Sequence, residues 1–83
     1  MKLQKFRIGE RVRTPKGVGF VMDVRTWKQA VLTMTDAEAK LFTAEVKYKI
    51  GHREGDHKDY QKILVGVGAR AIWSDNMETK KLS

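Results

Sequence analysis

Basic side chains concentrate in the first third of this 83-residue sequence. Residues 1–30 hold eight Lys and Arg against two acidic residues, whereas residues 31–83 hold nine against eight. Nearly all of the net charge of +7 therefore lies in residues 1–30. A field of one sign attracts polyanions such as nucleic acid or an acidic protein, although solubility alone is an equally simple reason for such an excess.

A basic track beside an exposed aromatic side chain is what a binder of single-stranded nucleic acid needs, because cations contact phosphates while rings stack on unpaired bases. Trp27 lies within the basic segment, and Phe42 or Tyr60 could extend the stacking surface. The alternative is a solvated exterior on which Trp27 covers one end of the core. The candidate nucleic-acid-binding residues are Arg11, Arg13, Lys16, Arg25, Trp27 and Lys28.

Catalytic chemistry has little support in this sequence. Cysteine is absent, which removes a thiolate nucleophile, a disulfide and a thiolate zinc site. The glycine pairs at 17/19 and 66/68 lack the strand-then-helix setting of a phosphate-binding loop. We therefore predict a protein that is not an enzyme and that needs no cofactor or metal.

The charged segment 51–58 holds the side chains that most resemble metal ligands. No other histidine exists to complete a site, and nothing in the sequence fixes the geometry of the ligands. We therefore predict a mobile, solvated loop near 51–58 rather than a metal site. The side chains considered as ligands are His52, Glu54, Asp56 and His57.

Strand patterning is strongest in the basic segment itself. We predict a strand over Ile8–Thr14, with Glu10 on a turn before the strand proper, and a second strand over Val18–Thr26. Proline and glycine at the second and fourth positions of Thr14–Gly17 are typical of a type I turn between them. In the second strand, alternation predicts one buried face made of Val18, Phe20, Met22 and Val24.

The rest of the chain is read as further short strands with little helix. Thr35 and Glu38 have the spacing of a capping box, which predicts one or two helical turns from Asp36 to about Phe42; the alternative is a long loop that rejoins the sheet. Trp73 is expected in the core, and Ser74 or Asp75 is expected to cap a helical turn. The predicted strands are 30–35, 43–50 with Ala44, Val46, Tyr48 and Ile50 inward, 60–73 with a bend at its glycines, and a short one at 80–83.

About five short strands favour a closed barrel, because closure removes exposed sheet edges. The run from Ile8 to Val21, IGERVRTPKGVGFV, resembles the small SH3-like barrels, a group that includes Tudor-like and KOW-type modules. The segment from Trp73 to Glu78 is similar to the helical turn that precedes the last strand in these folds. The resemblance implies an all-β fold, a small SH3-like barrel with one short helical turn, and implies no single function.

We predict one domain over residues 1–83 that acts as a non-catalytic binding module. Its first expected partner is DNA or RNA, or a complex bound to nucleic acid, engaged through the basic hairpin. The alternative is an adaptor or inhibitor of the kind found in phages and mobile elements, which binds a host protein. No apolar run is long enough to span a membrane or to form a signal peptide, so we expect a cytoplasmic protein without a membrane partner.

Overall fold

The computed structural model describes residues 3–50 and 57–82, and in them one antiparallel sheet dominates. The prediction of an all-β fold with one short helical turn is therefore confirmed only as a small β-rich fold, because the helices are longer than predicted. Two α-helices, α1 (Trp27–Val31) and α2 (Asp36–Ile50), and a 3₁₀ helix (His57–Asp59) lie between the second and third strands. The strands are β1 (Arg11–Thr14), β2 (Gly17–Thr26), β3 (Gln61–Val67), β4 (Arg70–Asp75) and β5 (Lys80–Lys81), in the order β4-β3-β2-β1-β5.

The predicted hairpin between β1 and β2 is present, with its turn in the expected place. Thr14 pairs with Gly17 at the end of the ladder. The Thr14 hydroxyl donates to the Gly17 carbonyl at 2.9 Å and accepts the Lys16 N–H at 3.2 Å, which holds the turn closed. The first strand begins at Arg11 rather than at Ile8, because the Glu10 carboxylate accepts the Arg7 N–H and closes a turn before it, as expected for Glu10.

The predicted buried face of β2 is wrong. Phe20 is 58% exposed and Met22 is 52% exposed, whereas Val21 is only 2% exposed. A β-bulge between Val21 and Asp23 places one extra residue in the strand, so that Val21 and Val24 both face inward although they are three residues apart. Strict alternation that starts from inward-facing Val24 therefore wrongly places Met22 and Phe20 on the buried face.

The predicted strand over 60–73 is a hairpin instead of one bent strand. Gly68, with φ of +60°, provides the turn between β3 and β4. Ile63 and Val65 are fully buried, as their spacing predicts. Trp73 is 43% exposed, so the prediction of a core position for this residue is wrong.

Two predicted strands, 30–35 and 43–50, are wrong, and helical structure accounts for most of these residues. The Thr35 hydroxyl accepts the Glu38 N–H at 3.2 Å and the Glu38 carboxylate accepts the Thr35 N–H at 3.1 Å, which confirms the capping box. The helix that it starts continues to Ile50, because Val46 and Ile50 lie one turn apart and are both buried. Tyr48 is 89% exposed, which a strand alternation does not allow.

The turn after β4 and the short last strand are confirmed. The Asp75 carboxylate accepts the N–H groups of Met77 at 2.9 Å and Glu78 at 3.1 Å, which is the capping role expected for it. The chain then returns along β1, where Lys80 pairs with Arg13. The last strand therefore lies at the opposite edge of the sheet from β4.

Two hydrophobic clusters hold these elements together. The sheet cluster consists of Phe6, Val12, Val21, Ile63 and Val65. The helical cluster consists of Val46, Ile50 and Tyr60, with Trp27 and Phe42 among the partly buried side chains packed against it. The helical segment thus has a core of its own at the end of β2 and the beginning of β3.

Paired truncations test the assignment of faces in β2. Val21→Ala removes buried methyl groups and should lower the free energy of unfolding by about 2 kcal/mol. Phe20→Ala changes an exposed position and should alter it by no more than about 0.5 kcal/mol. Urea denaturation followed by circular dichroism measures both values, and the opposite ranking would contradict the burial of Val21.

Candidate nucleic-acid interface

The strand register collects basic side chains on one surface. Directly paired residues of an antiparallel sheet point to the same face. Arg11 pairs with Phe20, and Arg13 pairs with both Val18 and Lys80, so these side chains share a face with exposed Phe20. We call this surface the outer sheet face; its cationic side chains are Arg11, Arg13, Arg25, Lys62 and Lys80.

Trp73 lies on the outer sheet face between two of these cations. It pairs with Leu64, whose strand neighbour Lys62 pairs with Arg25. The Arg25 guanidinium carbon lies 5.1 Å from the centre of the Trp73 ring, and the Lys62 ammonium lies 4.9 Å from it. Each such contact stabilises an exposed site by about 0.5–1 kcal/mol. The cations therefore hold positions beside a half-exposed aromatic ring.

Phe20 and Met22 supply the apolar part of the same face. Both side chains are more than half exposed, and they share β2 with Arg25. Gly66 pairs with Phe20, and a Cβ at Gly66 would lie 3.0 Å from the Met22 sulfur. The missing side chain at Gly66 therefore leaves room for Met22 to lie across β3.

Acidic side chains offset little of this positive charge. Among the described outward-facing strand positions, Asp23 places a carboxylate 3.7 Å from Arg25. Asp75 pairs with Lys62 but is only 8% exposed, because its carboxylate caps the turn after β4. The five cationic side chains thus outnumber the solvent-exposed carboxylates on the same face. This excess of positive charge gives the outer sheet face a positive potential.

The structure places three of the six predicted residues, namely Arg11, Arg13 and Arg25, on the outer sheet face, although Arg13 and Arg25 lie near opposite ends of β2. Lys16 lies apart from them at the tip of the first hairpin, where it borders a groove of about 100 Å³ that Trp73 also lines. Lys28 is exposed on α1 rather than on the outer sheet face.

Trp27 does not provide the stacking surface that was predicted for it. Its indole N–H donates to the Thr43 hydroxyl at 2.8 Å, and its ring meets the His57 ring edge-on at 4.4 Å. These contacts fix Trp27 against the helical cluster. Trp27 therefore matches the alternative interpretation, in which it covers one end of a core.

Phe42 and Tyr60, the other residues predicted to stack on bases, pack against each other instead. Their rings meet edge-to-face with centres 5.6 Å apart, and Tyr60 is 6% exposed. The exposed aromatic side chains that the sequence analysis missed are Phe20 and Trp73. No signal in the sequence marked these two rings as exposed, because both fitted an apolar alternation.

Metal binding finds no new support in the described residues. Three of the side chains considered as ligands, His52, Glu54 and Asp56, fall outside them, as does most of the predicted loop. His57 is described and begins the 3₁₀ helix, where its ring packs against Trp27. Within residues 3–50 and 57–82 no group of three or more potential ligands could hold a metal ion.

None of the helices in the described ranges combines the length and the apolar character needed to cross a bilayer. Comparison with protein-family models, with curated proteins and with solved structures finds no match for this chain.

The burial of Tyr60 predicts a specific alkaline instability. Burial raises the pKa of its phenol far above the ordinary value, and the negative charges of Asp75 and Glu78 add to this. The unfolded chain releases the Tyr60 proton near pH 10 while the folded protein retains it. The stabilisation is thus complete below about pH 10 and falls above it, by up to about 1.4 kcal/mol per pH unit.

Tyr60→Phe should remove this part of the pH dependence. Urea denaturation at about pH 9 and about pH 11 measures the loss of unfolding free energy in the wild type and in the variant. Tyr48→Phe is the matched control, because Tyr48 is 89% exposed. Equal alkaline losses in the wild type and in Tyr60→Phe would rule out Tyr60 as the cause.

Proposed function

We propose that this protein is a non-catalytic module that binds nucleic acid through the outer sheet face. The observation that carries the proposal is the placement of five cations from four strands on one surface. Phosphate contacts by Lys and Arg release counterions and supply most of the sequence-independent affinity for nucleic acid. A rigid sheet holds such cations at fixed spacing, which a mobile basic tail cannot do.

We further propose that the sheet curls into an SH3-like barrel. The order β4-β3-β2-β1-β5 supports this, because the last strand returns to pair beside the first. Contacts between distant strands add support. Thr14, the last residue of β1, and Trp73, on β4, line one groove although two strands separate β1 from β4 in the sheet. The hydroxyl oxygens of Ser74 and Thr79 lie 2.8 Å apart, which brings the end of β4 close to β5.

We assign the cytoplasm as the place of action, since nucleic acid is accessible there. A chain without cysteine needs no oxidising compartment for disulfides.

A second candidate function, an adaptor that binds a host protein, is favoured by α2. Leu41 is 70% exposed and Tyr48 is 89% exposed, and their spacing of seven residues places them on one side of the helix. Exposed apolar patches mark protein contacts in many proteins. A pull-down from nuclease-treated lysate distinguishes the two functions. A partner that survives the nuclease and is lost with Leu41→Ser and Tyr48→Ser would favour the adaptor.

Neutralising the arginines of the outer sheet face tests the nucleic-acid proposal. The triple variant Arg11→Gln, Arg13→Gln and Arg25→Gln should weaken binding to DNA and RNA strands at low salt. If each arginine contacts one phosphate of a single strand, the slope of log K against log salt should fall by roughly 2. Fluorescence anisotropy of labelled strands over a range of salt concentrations measures both quantities.

The matched control removes the same amount of charge from α2, through Lys40→Gln, Lys47→Gln and Lys49→Gln. These three side chains are exposed and lie outside the sheet, so their replacement should leave most of the affinity and slope unchanged. Equal losses in both variants would show that net charge alone attracts the strand. Absence of any salt-sensitive binding at micromolar concentration by the wild type would refute the proposal.

A further inference from the structure

We infer that the ligand of the outer sheet face is single-stranded nucleic acid, with unpaired bases stacked on Phe20 and Trp73. The inference rests on the proposed function and narrows it to one class of ligand. It assigns phosphate contacts to the neighbouring cations, above all Arg11 and Arg25. These aromatic side chains replace Trp27, which is held against the helical cluster.

Phe20 and Trp73 both expose their rings to solvent. Phe20 is 58% exposed and Trp73 is 43% exposed, and both stand on the face that carries the cations. A duplex hides the faces of its bases within the stack, so a protein that binds only duplex phosphates has no use for exposed rings. Unpaired bases do offer their faces, and every base can stack on an aromatic side chain.

The register separates the two rings by more than the width of one base. Phe20 pairs with Gly66, which pairs with Ala71, and Trp73 lies two residues further along β4. Two strand spacings and two residues of rise place their Cα atoms on the order of 12 Å apart. The rings therefore receive two different nucleotides rather than the two faces of one base.

Each ring also has a cation beside it. Arg11 pairs with Phe20 from the neighbouring strand. Arg25 and Lys62 lie 5.1 and 4.9 Å from the centre of the Trp73 ring. In a single strand each base is joined to a phosphate, so a surface that binds it needs rings and cations in alternation. The outer sheet face provides this arrangement at two places, which an acidic protein surface would not require.

The experiment compares ligands that differ only in their bases. Fluorescence anisotropy is measured with a labelled single strand of twelve thymidines, with its RNA counterpart, with an abasic strand of equal length and with a duplex of equal length. We expect the strands that carry bases to bind at least about fivefold more tightly than the abasic strand, the lower end of the effect of one base stack. The DNA and RNA strands show whether the sugar matters.

Variants of the two rings identify where the bases stack. Phe20→Leu and Trp73→Leu should each weaken binding of the thymidine strand at least about fivefold and leave binding of the abasic strand unchanged. Phe20→Tyr and Trp73→Phe retain an aromatic ring and should retain most of the affinity. Tyr48→Leu, which changes an exposed aromatic side chain on α2, is the matched control and should have no effect.

The outcomes separate this inference from the function on which it rests. Equal affinity for the thymidine strand, the abasic strand and the duplex would overturn the stacking inference and leave nucleic-acid binding intact. Equal losses on the thymidine and abasic strands in the leucine variants would also overturn it. Binding of polyglutamate as tight as that of the thymidine strand, or no salt-sensitive binding of any strand, would overturn both. If circular dichroism shows that a leucine variant does not fold, the aromatic variants and the comparison with the abasic strand still test whether bases stack on these rings.

Discussion

The β-bulge at Met22 is the constraint on which the arrangement of this protein depends. It lets Val21 and Val24 face the same side of β2 although three residues separate them, and each then meets a buried partner on β3. Without the extra residue, one of these two valines would have to turn toward solvent. The bulge also places Phe20 and Met22 on the other face, beside the arginines of β1 and β2. One local irregularity therefore determines both which side chains of β2 are buried and which are exposed.

A polar network at the edge of the core attaches the helical segment to the sheet without covering the outer sheet face. The Asn76 side chain donates to the backbone carbonyls of Gln4 and Asp59, and it accepts the Gln61 N–H. The side-chain carbonyl of Gln61 in turn accepts the Phe6 N–H at 2.8 Å. These hydrogen bonds lie near the beginning of β3, where the helical cluster also lies. Breaking a buried hydrogen bond leaves an unsatisfied polar group and costs about 1–3 kcal/mol, so this junction is well defined. The cations and rings of the sheet remain exposed because the helices are attached at its end.

Features that depend on a few neighbouring residues were predicted correctly from the sequence. The turn at Thr14–Gly17 and the capping box at the start of α2 depend on residues within four positions of one another, and both are confirmed. Which side of a strand or helix is buried depends instead on contacts with residues far away in the sequence. The bulge moved the buried side of β2. In 43–50, Val46 and Ile50 are buried as both a strand period and a helical period allow, and only the exposure of Tyr48 between them distinguishes the helix. Three arginines of the candidate site were found because charged side chains rarely point inward, whereas its rings were missed because an apolar ring was assumed to be buried.

The two cations beside Trp73 also explain how a half-exposed tryptophan is tolerated when no ligand is bound. Each contact is worth about 0.5–1 kcal/mol, and together they keep charge and water close to an apolar ring that would otherwise favour self-association. A base that stacks on Trp73 contributes about 1–3 kcal/mol and must displace some of these contacts. The net gain of this exchange is larger when the displaced cations contact phosphates, which a single strand supplies next to each base. In the complex that we propose, stacking and charge are therefore coupled, since Arg25 and Lys62 lie against the ring in the free protein and would contact the phosphate backbone once a base stacks on Trp73.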